Sequence, residues 1–285
     1  RSPEWEKIME KEVREMPILQ FKNKQKNVGK MEIKNQTDTT AELEILGDIV
    51  SDKWGKWSDD DTCPSDIREF LKNLDGAEKI HVHINSGGGS VFAGIAIHNM
   101  LKQSSAEVTV HIDGIAASIA SVIACAGDRV ILPENGTFMI HKPTNGYFLE
   151  SLNADQLRKD ADTLDHCQNV ILQTYMSKAK DGITEEQVNE MINEETWMNG
   201  KEASEYFDFE VEDSVKAAAC TSDFFQVYQH TPEAIRKDSQ KDPDNIDAIA
   251  DAVLKRIQER EDALKHAENE KTKHELLGDL DLYGI

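Results

Sequence analysis

Two strand–turn–helix units follow one another directly, and this constrains the fold more than any other feature of the sequence. Residues 79–85 (KIHVHIN) alternate apolar and polar, as a half-buried strand does. They break into Ser86-Gly87-Gly88-Gly89 and resume at 91–102 as VFAGIAIHNMLK, which has a helical period and small residues on one face. The next unit is VTVHIDG at 108–114, followed by IAASIASVIACAG at 115–127, an apolar small-residue helix ended by Gly127. Upstream, AELEILGDIV at 41–50 is a further strand. SDIREFLKNLDG is a helix with Ser65 as the expected N-cap and Gly76 as its end. RVILP and TFMIH are short strands. Strand and helix thus alternate from about 41 to 141, which predicts an α/β core. Both small-residue turns fall at carboxyl ends of strands, where open α/β sheets collect their sites.

The flanks read differently. From Asn153 a single long helix is expected, with Leu157, Ala161, Leu164, Cys167, Ile171, Leu172, Tyr175 and Ala179 at three- and four-residue steps. Asn153 and Gln156 form a capping box, and Gly182 is the expected stop. TEEQVNEMINEE is a helix capped by Thr184, and TWMNGKEASEYF is a short strand, a Gly turn and a helix. Residues 1–15 read as a charged helix and 21–40 as a polar loop. Beyond 220, HTPEAIRKDSQKDPDN has the composition of a linker. Residues 246–264 carry Ile246, Ile249, Val253, Leu254, Ile257 and Leu264 on one helical face, which suits a partner helix, self-association or a solvated tail. The expected organisation is an extension at 1–40, a domain at 41–219, a linker at 220–245 and a helical tail at 246–285.

Charge narrows the function classes. Asp and Glu number 54 against 32 Lys and Arg in 285 residues, a net charge of −22. That balance argues against phosphate-neutralising nucleic-acid binding and against docking on an anionic membrane. No apolar run of about 18 residues suggests a membrane span, and residues 1–16 lack the apolar centre of a secretory signal. The expected location is therefore the cytoplasm. Cys63, Cys125, Cys167 and Cys220 show no paired spacing and read as free thiols of a reducing compartment. His81 and His83 share one strand face at i, i+2, a geometry that suits a metal, but no third ligand is evident and neither metal nor cofactor is expected.

Three local features could carry chemistry, and each also has a purely structural reading. The Ser86–Gly89 turn is either a tight turn or a place where backbone amides meet an anion. Ser118, in Gly114-Ile-Ala-Ala-Ser118, is either part of a helix-packing face or a hydroxyl exposed near a helix N-terminus. His141, at the end of TFMIH and just before Lys-Pro, is either an exposed residue or a base at the rim of a cleft. All three fit one mechanism. A neutral serine is a poor nucleophile and needs an adjacent base. His141 could serve as that base, oriented by a carboxylate, with main-chain amides holding the tetrahedral oxyanion.

Over residues 41–213, the run INSGGGSVFAGIAIHNML … VHIDGIAASIASVIACAGDRVILPENGTFMIHKP resembles the proteolytic subunit of the Clp protease, ClpP. It looks most like the ClpP-like head-maturation proteases of tailed phages and prophages. The resemblance implies a serine endopeptidase on a crotonase-like α/β spiral of repeated ββα units, with the helix at 153–180 in the place of the ClpP handle. It also implies a homo-oligomer of heptameric or stacked rings. The catalytic serine of a G-x-A-A-S segment becomes Ser118, and the histidine of an M-I-H-x-P segment becomes His141. The oxyanion amides become those of Gly88 and Ile119. Counting back from Lys201-Glu202-Ala203 puts Glu195 at the acid position, with Glu194 as the alternative. Two positions depart from the family pattern: Gly87 replaces the usual Pro of S-P-G-G, and Phe207 replaces the Gly after Glu-Tyr. The implied substrates are peptides or proteins, with phage scaffold or capsid protein as the natural case, in host cytoplasm or inside the procapsid. Two other readings stand beside this one: a crotonase-fold acyl-CoA enzyme with a carboxylate base, and a non-catalytic capsid-assembly scaffold.

Overall fold

A computed structural model describes residues 33–36, 38–74, 77–146, 151–214, 220 and 222–238. The helices expected at 1–15 and 246–264 lie outside these residues. The chain enters through β1 (Ile33–Gln36) and β2 (Asp38–Ile49). Then come α1 (Pro64–Lys72), β3 (Lys79–Gly89) and α2 (Val91–Lys102), followed by β4 (Glu107–Ala117) and α3 (Ile119–Ala124). Two short strands follow, β5 (Arg129–Pro133) and β6 (Thr137–Ile140). The long helix α4 (Ala154–Met176) leads to α5 (Glu185–Asn193), β7 (Thr196–Asn199), α6 (Gly200–Tyr206) and β8 (Glu210–Glu212). Past these lie a 3₁₀ turn at Asp223–Gln226 and α7 (Glu233–Asp238).

The sheet runs β1-β2-β3-β4-β5-β8, parallel from β2 onward, and β1 is antiparallel to β2. Parallel strands buried under helices read as near-continuous apolar runs. Here Ile80, Val82, Ile84, Val108, Val110, Ile112, Val130 and Leu132 are all buried on the helical side. The intervening residues line the opposite face, where His83 Nδ1 is 3.0 Å from the Asp113 carboxylate and His81 Nδ1 is 2.9 Å from His111 Nε2. The histidines flagged as a metal pair are therefore engaged across strands. Among the described residues no group of three or more His, Cys, Asp or Glu is arranged to hold a metal ion.

β4 is a fork, and the fork positions the site. Its first half pairs with β5, from Thr109 opposite Arg129 to His111 opposite Ile131. Its last three residues leave β5 and pair with β6, with Ala117 opposite Met139. One residue past Ala117 is Ser118, and two past Met139 is His141, so the register alone brings them to the same edge. β7 then adds antiparallel to β6.

Several boundaries differ from the sequence-based expectation. Residues 33–40, read as loop, contain β1 and the start of β2, because antiparallel backbone pairing of Ile33–Gln36 with β2 outweighs a polar composition. β3 continues through its glycines because Gly88 and Gly89 pair with Asp48 and Ile49 of β2, and a Cβ at Gly89 would collide with the Ile49 backbone. The helix expected at 115–127 is only six residues long, since β6 claims Ile115–Ala117 as strand. α1 begins at Pro64, a favoured first helical residue, with the Asp66 carboxylate accepting from Cys63 N, so Cys63 and not Ser65 is the cap. It ends at Lys72, with Asn73 as its C-cap, short of Gly76. α4 ends at Met176, while Gly182 (φ +92°) turns the chain into α5. The small residues of α2 have a clear use: a Cβ at Gly94 would collide with the Ile119 side chain, so glycine lets α3 approach α2.

Candidate active site

Ser118 sits at the junction of β4 and α3 with φ 55° and ψ −126°. A non-glycine residue there carries about 1–3 kcal/mol of backbone strain and persists only when its surroundings over-determine it. The surroundings do so here. Ser118 N donates to Met139 O at 3.0 Å, which ties the turn to β6. The Ser121 hydroxyl donates to Ser118 O and is 2.7 Å from the hydroxyl of Tyr175, a fully buried residue of α4. The strain aims the side chain out of the strand, and Ser118 Oγ lies 2.7 Å from His141 Nε2. The amide of Ile119, the first residue of α3, belongs to the helix turn whose N–H groups have no partner within the helix.

His141 is largely enclosed. Burial pushes its pKa below the ordinary 6.5, and the negative charge of Glu195 partly offsets that shift. The imidazole is thus held neutral at neutral pH, the state in which Nε2 can take a proton. Its ring meets the edge of Tyr228, with centroids 4.8 Å apart and planes at 70°.

Glu195 is buried in the turn between α5 and β7, also with positive φ (53°). Its carboxylate accepts from Gln229 N at 2.7 Å, His230 N at 2.6 Å and Trp197 Nε1 at 3.1 Å. Its effect on His141 is through-space charge. Glu194, the alternative acid, is exposed, and its contact with this region is a backbone carbonyl 3.0 Å from His230 Nδ1.

The glycine loop lies against Ser118: a Cβ at Gly88 would stand 2.7 Å from Ser118 Cβ. Gly88 has φ +106°, and its amide donates to Ser86 Oγ at 3.2 Å, while that hydroxyl donates to Gly47 O at 2.6 Å. Of the two expected oxyanion donors, Ile119 heads a helix, whereas Gly88 is turned toward its own loop.

Residues 222–236, within the stretch expected as a linker, reach this site. Phe225 is fully buried and Tyr228 nearly so, in one apolar cluster with Ile115, Ala117 and Met139, against which Trp197 packs. The Tyr228 hydroxyl donates to Gly87 O at 2.7 Å. The polar stretch from His230 onward gives the region a linker composition. The available signal was three aromatic residues, Phe224, Phe225 and Tyr228, within five positions.

The chain belongs to the Clp protease family, which matches residues 63–207. Among its relatives, the ATP-dependent Clp protease proteolytic subunit of Streptococcus mutans is 32% identical over 146 residues, covering 48% of this chain and 69% of the relative. That of Ligilactobacillus salivarius is 45% identical over 80 residues, covering 27% of this chain and 40% of the relative. A solved ClpP1 mutant from Listeria monocytogenes has the same fold, with a TM-score of 0.50, 23% identity, and coverage of 61% of this chain and 91% of that one. The crotonase-like α/β fold expected from the sequence is therefore the fold observed.

Proposed function

We propose that the chain is a serine endopeptidase in which Ser118 is the nucleophile and His141 the general base. The 2.7 Å contact between Ser118 Oγ and His141 Nε2 at a strained strand–helix junction carries this reading. Oγ attacks a peptide carbonyl carbon while its proton passes to Nε2. The carbonyl oxygen becomes an oxyanion held by the Ile119 amide and by the Gly88 amide once that amide releases Ser86. Collapse of the intermediate expels the amine, which takes the proton back from Nε2–H and leaves an acyl ester on Ser118. Water, deprotonated by the same imidazole, hydrolyses that ester. Glu195 favours the imidazolium that forms in both halves.

The substrates in this proposal are proteins, and the natural ones are phage scaffold or capsid proteins processed during prohead maturation. The motif run around Ser118 and His141 supports that choice. The setting is the host cytoplasm or the procapsid interior. The chain works as a homo-oligomeric ring, heptameric or stacked, with α4 as the candidate contact because Leu157 is exposed on it. The test is covalent labelling by a small fluorophosphonate, read by intact mass over a long incubation. Label on Ser118 in the wild type, absent in Ser118→Ala, is the expected result. A folded protein that takes no label at Ser118, either as wild type or after Tyr228→Ala, overturns the proposal.

A further inference from the structure

We infer that residues 222–236 are a built-in occupant of the cleft, which holds the protease latent until this segment is displaced. The inference rests on the site reading above, because it assigns that site a regulator within the same chain. The segment engages three parts of the site at once. At the oxyanion loop, the Tyr228 hydroxyl donates to Gly87 O, and Phe225 packs beneath the loop. A Cβ at Gly87 would collide with Ser222 Cβ and lie 2.5 Å from its Oγ, so the chain has a bare backbone where this segment passes. At the base, the Tyr228 ring covers His141 edge to face. At the acid, Gln229 N and His230 N each take one carboxylate oxygen of Glu195. A further tie outside the site, from Ser222 Oγ to Asp48 Oδ1 at 2.7 Å, fastens the segment to the end of β2.

These contacts have chemical consequences. An ionised carboxylate accepts hydrogen bonds through two oxygens with about four lone-pair positions, and Glu195 already has three donors, two of them from the segment. The Tyr228 ring and Phe225 fill the apolar surface of Ile115, Ala117 and Met139 beside the nucleophile, where an incoming side chain would rest. The loop stays in the form in which the Gly88 amide faces Ser86. A polypeptide reaching Ser118 must therefore displace Tyr228. A site open only part of the time shows its affinity and rate reduced by the open fraction.

The experiment is the rate of fluorophosphonate labelling of Ser118 in the full chain, compared between wild type and Tyr228→Ala. The inference expects labelling of Tyr228→Ala to be faster by about tenfold or more. It also expects amide hydrogen exchange over 222–236 to rise once wild-type Ser118 is labelled. Tyr228→Phe keeps the ring and removes the hydroxyl, with its bond to Gly87 O and its hydrogen bond with Ser118; it serves if Tyr228→Ala fails to fold, and it too should label faster than wild type. Equal labelling rates in the wild type and the folded variants, with exchange over 222–236 unchanged by the label, overturn the inference and leave the serine peptidase reading standing. Absence of label in every folded form instead overturns the peptidase reading.

Discussion

Ser118 and Glu195 are the two non-glycine residues with positive φ among the described residues, at 55° and 53°, and both flank His141. They end up in different chemical states. The strain at Ser118 delivers its hydroxyl to the imidazole, and the turn is locked from behind by Met139 O, Ser121 and Tyr175. The strain at Glu195 delivers a carboxylate into the same buried region, where the amides of Gln229 and His230 take it. The Ser118 half of the site is assembled by the sheet and by α4. The Glu195 half is shared with a segment whose hold rests on a few polar anchors and an aromatic patch. Local openings are drawn from weakly anchored elements of this kind, so one half of the site is fixed while the other is adjustable.

The sharpest way to break this contrast is to remove the fixed half. Ser118→Ala should lower peptide hydrolysis about a thousandfold or more, because the covalent step is lost while the amides remain. Its thermal stability should fall slightly, by about 1 kcal/mol, because His141 Nε2 loses the hydroxyl it meets at 2.7 Å. A hydrolysis assay with a thermal melt checks both. The adjustable half gives a smaller and more conditional effect. In a Tyr228→Ala background, Glu195→Ala should slow hydrolysis about tenfold to a hundredfold, because the imidazolium loses its neighbouring charge. In the otherwise wild-type chain the same substitution should cost less, because it also removes the acceptor that anchors residues 229 and 230. A double-mutant cycle measures the difference, and equal effects in both backgrounds would show that the acid is not shared.

The pH profile sharpens the comparison from the side of the base. Burial lowers the pKa of His141 below 6.5. The base is therefore neutral and competent above that lowered value and is lost as pH falls through it. The acid limb of labelling should lie below pH 6.5 in the full chain, and it should move up in Tyr228→Ala because the imidazole is rehydrated. Linkage has the same origin: the unfolded chain protonates His141 first, so stability declines as pH drops from 6.5 toward the folded value. The smallest expected effect concerns the lock behind the nucleophile. Tyr175→Phe should cost about 1 kcal/mol in denaturant unfolding and change the labelling rate only slightly, because Ser121 keeps its bond to Ser118 O.

Much of the fold was legible in the sequence because its signals are local. α2 follows the apolar period of VFAGIAIHNMLK, and the start of α4 follows from the Asn153–Gln156 box, which closes as expected with Asn153 N donating to Gln156 Oε1 at 2.9 Å. The strand ends were less legible. Nothing within Ile115-Ala116-Ala117 distinguishes a helix from a strand, and β6, twenty residues further on, makes the choice. Residues 33–40 became strand for the same reason, through antiparallel pairing of β1 with β2. Composition points to a linker beyond 220 because polar residues there outnumber aromatic ones, while the placement of Phe225 and Tyr228 depends on a surface formed by β4, β6 and β7.

The sequence by itself determined the residue types that matter: a serine after small residues, a histidine before proline, acids ahead of the β7 strand and glycines at the end of β3. These follow from short-range spacing and side-chain chemistry. Tertiary structure alone decided that Ala117 stands opposite Met139, which makes a pair of Ser118 and His141 across 23 positions of chain. It also decided that Tyr228 rests on that histidine and that the Glu195 carboxylate faces two backbone amides. The physical reason is that register and burial are properties of surfaces meeting, and those surfaces exist only after the sheet has closed.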